Sequence, residues 1–115
     1  MIRLAEMYLI RAEARARQGE LSNSKEDLDK IRNTAGLSNT TAAAQEEILD
    51  AILRERRVEF FSEFGHRFLD LKRFGALDKA LSSKKASWQT TDRLLPLPQR
   101  ELNLNPNLEP QNTGY

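Results

Sequence analysis

Between about Ala44 and Phe64, apolar residues recur at steps of three and four: Ile48, Leu49, Ile52, Leu53, Phe60, Phe61 and Phe64. That is the period of one helix face. It is the strongest amphipathic signal in the 115 residues. A helix with one apolar face must bury it against another element, and the segment before it supplies candidates. From Arg3 to Gln18 neither proline nor glycine interrupts a run containing Leu4, Met7, Tyr8, Ile10, Ala12, Ala14 and Ala16. This predicts a long helix whose alanines admit a close neighbour and whose stop is Gly19. Ser22 or Ser24 is then expected to cap a second helix, with Glu26 and Asp27 in its first turn and Leu28 and Ile31 facing the first helix. Gly36 ends it. The pair, residues 1–36, has the length of one tetratricopeptide unit, a class with a period of about 34 residues. One such pair cannot bury its own face.

After Gly65 a shorter helix is expected to carry Phe68, Leu69 and Leu71 and to stop near Phe74-Gly75, with one or two further turns around Leu77 to Leu81. Residues 44–81 thus form a second helical block. From Ser82 the periodicity fades. The segment 82–115 is expected to be a loop followed by an extended, Pro- and Asn-rich tail. Leu95-Pro96 and Leu97-Pro98 cannot lie inside a helix, because proline lacks an amide hydrogen and holds its predecessor extended, and Asn105-Pro106 should open a turn. A tail of this kind lies across something already folded. The fold class is therefore all-α, and the length suits one helical domain or a piece of a larger protein.

Composition removes several function classes. Eighteen basic and seventeen acidic residues leave a charge of +1, so no global field attracts nucleic acid or an anionic membrane. The lack of cysteine excludes a disulfide framework, a thiolate metal site, a cysteine nucleophile and an anchoring lipoprotein cysteine within these residues. No apolar run approaches a signal core or a membrane span. Asn39-Thr40-Thr41 matches a glycosylation sequon, a pattern that arises often by chance.

The densest charged stretch, Arg54 to Arg73, alternates sign at helical neighbour distances. Arg56 shares a face with Leu49, Ile52, Leu53, Phe60 and Phe64, so it is expected to be partly buried. It then needs a partner, Glu59, Glu63 or a backbone carbonyl, and Glu63 lies four residues before Arg67. Three chemical uses of this stretch compete with a structural ion network. Glu59, Glu63 and Asp70 offer the carboxylates of glycoside hydrolysis, but arginine neighbours favour the ionised form whereas a general acid works protonated. Glu63, His66 and Asp70 offer metal ligands, with Arg67 set among them. His66 is the only histidine, which excludes any site built on several imidazoles, and a hydrogen bond at a helix junction is its expected role. The network is therefore preferred, with no catalytic, cofactor-binding or metal site assigned. Among aromatics that could stack on sugar, Trp88 is expected to anchor its loop, Tyr8 to join the core and Tyr115 to tuck its ring against the body. No phosphate-cradling glycine loop or serine-histidine-acid arrangement is present.

Three blocks resemble the C-terminal region of the SusD/RagB family of surface nutrient-binding proteins. Arg3 to Ala14, with Leu28-Asp29-Lys30-Ile31-Arg32 and Ala35-Gly36-Leu37, is similar to the family's last tetratricopeptide-like pair. Arg56 to Arg73 resembles its signature helix and turn. Leu94-Leu95-Pro96-Leu97-Pro98, Asn105-Pro106-Asn107-Leu108 and Gln111-Asn112-Thr113-Gly114-Tyr115 resemble its ending, with Glu109-Pro110 adding a residue and Thr113 standing where the family has proline. The resemblance implies a lipid-anchored protein on the outward face of the outer membrane. Such a protein binds glycans or other nutrients without cleaving them and passes them to a SusC-like TonB-dependent transporter. It also implies that Tyr115 is the natural C-terminus, that the remaining sequence lies upstream, and that ligand contacts fall mostly outside these residues. Arg56, Glu59, Glu63, Arg67 and Asp70 are then scaffold, and the tail straps the terminal helices. The alternative is a free-standing tetratricopeptide-like module for protein interaction.

Overall fold

The computed structural model describes residues 3–115, and among them there is no β-strand. The protein is all-α. Its helices are α1 (Leu4–Arg17), α2 (Leu21–Thr34), α3 (Gln45–Glu59), α4 (His66–Arg73), α5 (Leu77–Leu81) and α6 (Gln99–Leu104), with 3-10 turns at Thr90–Arg93 and Pro106–Leu108. Contacts divide the chain into two units, the first ending at Asp70 and the second running Leu71–Tyr115.

In the first unit α1 and α2 form a hairpin on which α3 packs. Each hairpin helix ends in the same way. Gly19 adopts φ +84°, and the amides of Gly19 and Glu20 donate to Ala16 and Arg15 carbonyls at 3.1 and 2.9 Å. Gly36, at φ +76°, repeats the pattern with Asn33 and Arg32. Two glycines in the left-handed region thus satisfy carbonyls that the helix ends would leave unpaired. Leu9, Ala12 and Ala16 of α1, Leu28 and Ile31 of α2, and Ile48, Ala51, Ile52 and Phe60 in and just after α3 form the core, with Tyr8 partly buried against it.

Small residues at the α1–α2 contact let polar groups join the packing. Ser24, fully buried, donates its hydroxyl to the Ala12 carbonyl at 2.6 Å. Ser24 is therefore not a cap: α2 begins at Leu21, and no side chain caps its start. Asp27, 3% exposed, accepts from Arg11 Nε and Nη2 at 2.8 and 2.6 Å and from Arg15 Nη1 at 2.7 Å. At the far end Gln45 donates to the Ala16 carbonyl at 2.7 Å, and the Glu47 carboxylate accepts the Ala43 and Ala44 amides. Asp29 accepts the Thr40 amide at 2.6 Å, pinning the connector.

Burial alone would raise the Asp27 carboxyl, but the hydrogen bonds and charges of Arg11 and Arg15 outweigh it and hold the group below its ordinary 3.8. A carboxyl depressed in the folded state stabilises fully above the unfolded value, and that contribution is lost as pH falls through the folded one. Glu47, lowered by the Ala43 and Ala44 amides, acts in the same direction. Thermal stability is accordingly expected to fall as pH drops through and below the ordinary carboxyl value, and Asp27→Asn should flatten that dependence in melts recorded across the acid range. An unaltered acid limb would remove Asp27 from the explanation.

In the second unit Leu71, Leu77 and Leu102 are buried. The tail is less extended than proline content predicts. Pro98 directly precedes α6, where its missing amide does no harm, and the Asn105 side chain accepts the Asn107 amide at the start of the Pro106–Leu108 turn.

Candidate functional site

Within the charged stretch from Arg54 to Arg73 the helix stops short of the end near Phe64 that its periodicity predicts. α3 ends at Glu59, and the chain turns through Ser62 at φ +57°, Phe64 at +41° and Gly65 at +70° before α4 begins. Left-handed conformations at two residues carrying a Cβ are uncommon and mark a turn fixed by its surroundings. The break redistributes the face that periodicity put together. Phe60 is buried, whereas Phe61 and Phe64 are 79% and 74% exposed.

It also changes the ion pairs. Arg56, 4% exposed, donates from Nε to Asp70 Oδ2 at 2.8 Å, and Asp70 is equally buried. Its guanidinium lies 5.2 Å from the Phe60 ring centre, and its Nη1 is buried without a hydrogen-bond partner among the described residues. The expected partners Glu59 and Glu63 are instead held by Arg3, which reaches Glu59 Oε1 at 2.6 Å, Glu63 Oε1 at 2.7 Å and the Glu59 carbonyl at 3.0 Å. Nothing local in the sequence links Arg3 to residues almost sixty positions away. The pairing of Glu63 with Arg67 does not form, because the turn separates them. Partial loss of solvent around its largely exposed side chain, and then the charge of Arg57, lower the proton affinity of Arg67.

This arrangement is suited to fastening helices. A guanidinium placed between Glu59 and Glu63 occupies the space that a glycosidic bond and its attacking water would need. Among the described residues no group of three or more histidine, aspartate or glutamate side chains is placed to hold a metal. His66 sits 5.0 Å from the Phe60 ring centre with Nε2 3.9 Å from Glu6 Oε1, a contact at the junction of α1 and α4. Trp88 donates its indole N–H to Asp78 at 3.0 Å, and Arg93 pairs with the other Asp78 oxygen, so the ring is tied into its own unit.

The tail is fastened by side chains reading backbone. Gln111 accepts the Leu97 amide at 2.8 Å and donates to the Leu97 carbonyl at 2.9 Å. Asn112 donates to the Leu95 carbonyl at 2.7 Å, and the Tyr115 hydroxyl to that of Leu94 at 3.0 Å. A Cβ on Gly114 would stand 2.8 Å from Thr91 Cβ, so only glycine fits there. The hydrogen-bond pairing of Gln111 was not legible in the sequence, where it is one amide among many.

The SusD family model matches residues 1–115, the whole chain. This chain belongs to the SusD family. Among its curated relatives are SusD-like protein P2 of Formosa agariphila, 31% identical over 99% of this chain and 25% of its own length, and the starch-binding protein SusD of Bacteroides thetaiotaomicron, 32% identical over 100% of this chain and 21% of its own. The crystal structure of a SusD-like protein from Bacteroides fragilis superposes with a TM-score of 0.81 at 27% identity, over 96% of this chain and 25% of that one. The SusD-family chain thus spans about a quarter of the length of these relatives. Among its described residues no helix is long and apolar enough to cross a membrane.

Proposed function

We propose that these residues are the C-terminal scaffold part of a cell-surface glycan- or nutrient-binding protein that delivers its ligand to a SusC-like TonB-dependent transporter in the outer membrane. The match of the entire chain to the SusD family carries this reading, and a relative named for binding starch supports glycan as the ligand class. The protein binds and does not cleave, holds to the outward face of the outer membrane through a lipid anchor, and takes its ligand largely through residues outside these 115. The role of the residues here is mechanical: Arg3, Arg56 and their carboxylates fasten the signature turn, and Gln111, Asn112 and Tyr115 fasten the tail.

Antibodies raised against the chain test this in cells that produce it from its own gene. Proteinase K added to intact cells should abolish the immunoblot signal, and immunoprecipitation from detergent-solubilised outer membranes should bring down a TonB-dependent transporter. A signal protected from protease and recovered with the cytosol would sink the proposal. It would favour the free-standing interaction module, for which the exposed Leu4, Met7 and Ile10 of α1, lining a hollow of about 310 Å³, would serve as the groove.

A further inference from the structure

The arginines of the first unit fall into two groups. Arg3, Arg11, Arg15, Arg17, Arg32 and Arg56 are each held by a carboxylate. Arg54, Arg57 and Arg67 are exposed and have no carboxylate within ion-pair distance among the described residues. The unpaired group is not scattered. Arg54, Arg57 and Val58 share the outer face of α3, at helical spacings of three and four. The turn that follows carries Phe61 and Phe64, and Arg67 stands in the first turn of α4.

Partial burial, and then the charge of Arg57, disfavour the Arg67 guanidinium, and Asp70, already engaged by Arg56, only partly offsets them. Val58, Phe61 and Phe64 are 72%, 79% and 74% exposed. Among the described residues, three guanidiniums lacking anions therefore share the segment 54–67 with three apolar side chains lacking cover, in a unit whose other arginines are matched with acids.

We propose that this face docks an acidic protein segment bearing apolar side chains, whose carboxylates meet Arg54, Arg57 and Arg67 while its apolar groups cover Val58, Phe61 and Phe64. Aromatic residues and arginine are the types enriched at the centres of protein interfaces, and charge complementarity selects the partner. A polyanionic sugar would satisfy the arginines and could stack on a ring, but Val58 offers it neither a ring nor a hydrogen bond, whereas an apolar peptide side chain covers all three apolar groups. A second copy using the same face would bring three further guanidiniums to it and no free carboxylate to meet them, because a two-fold contact uses the same patch on both copies. The inference goes beyond the transport proposal and does not depend on it.

A fluorescein-labelled peptide of alternating glutamate and leucine is the probe, followed by fluorescence anisotropy with the purified chain. Saturable binding that weakens with salt is expected, about tenfold weaker for Arg57→Glu/Arg67→Glu and again for Phe61→Ser. These positions lie outside the core. Circular dichroism would verify the fold of each variant, and amide chemical-shift changes in the unaltered chain would locate the peptide without any substitution. No binding, or shift changes away from residues 54–67, would overturn the proposal. So would binding of polygalacturonate that matches or exceeds the peptide's and ignores Phe61→Ser, which points to a polyanion site. Dimerisation in sedimentation that Phe61→Ser abolishes would overturn it in favour of a second copy.

Discussion

Asp70→Ala is expected to destabilise the protein by about 3–5 kcal/mol, the cost of leaving a buried charge without its partner. Arg56 cannot reach solvent at 4% exposure, and its Nη1 already lacks a hydrogen-bond partner among the described residues, so losing the 2.8 Å bond to Asp70 leaves little to compensate. Domains of this size are stable by about 5–15 kcal/mol, which makes the loss a large fraction of the total. Urea denaturation followed by circular dichroism would measure it. The double variant Arg56→Met/Asp70→Leu should recover most of the deficit, because a buried ion pair replaced by apolar groups of similar volume is often neutral or better. An unchanged midpoint for Asp70→Ala would show that the pair does not hold the turn.

Ile52→Ala is expected to cost about 2–5 kcal/mol, combining lost transfer energy with a cavity that the surroundings close only in part. Ile52 is fully buried among Leu9, Leu28 and Ile48 in the core shared by three helices. Val58, six residues further along the same helix, is 72% exposed, and Val58→Ala should stay within about 0.5 kcal/mol. The two melts together test whether the inward and outward faces of α3 are correctly assigned. Equal losses at both positions would mean that they are not.

The hairpin, the stops at Gly19 and Gly36 and the inward face of α3 were legible because they depend on local rules: helical period, glycine at φ above zero, small residues where helices approach. What the sequence concealed depends on partners distant along the chain. Phe60, Phe61 and Phe64 continue the α3 spacing, yet the helix stops at Glu59 and the turn is held by Arg3 from the start of α1. Ser24 has the chemistry of a cap, but the nearby Ala12 carbonyl makes it an interior donor. The partner of Arg56 follows from the same break. Once the turn reverses the chain, Asp70 on α4 comes within reach while Glu59 and Glu63 are engaged elsewhere. α6, at six residues, is too short for periodicity to announce.

The tail carries a different lesson. Gln111, Asn112 and Tyr115 engage Leu97, Leu95 and Leu94 only through main-chain atoms in their hydrogen bonds. A latch of this kind is indifferent to the spelling of the strip it closes on. Leu94 and Leu95, 45% and 73% exposed, are free to drift in identity so long as the strip keeps its path, whereas the latch side, with Gly114 against Thr91, tolerates little. Substitution tolerance in this tail should therefore be lopsided, permissive on the earlier side of the clasp and strict on the later one.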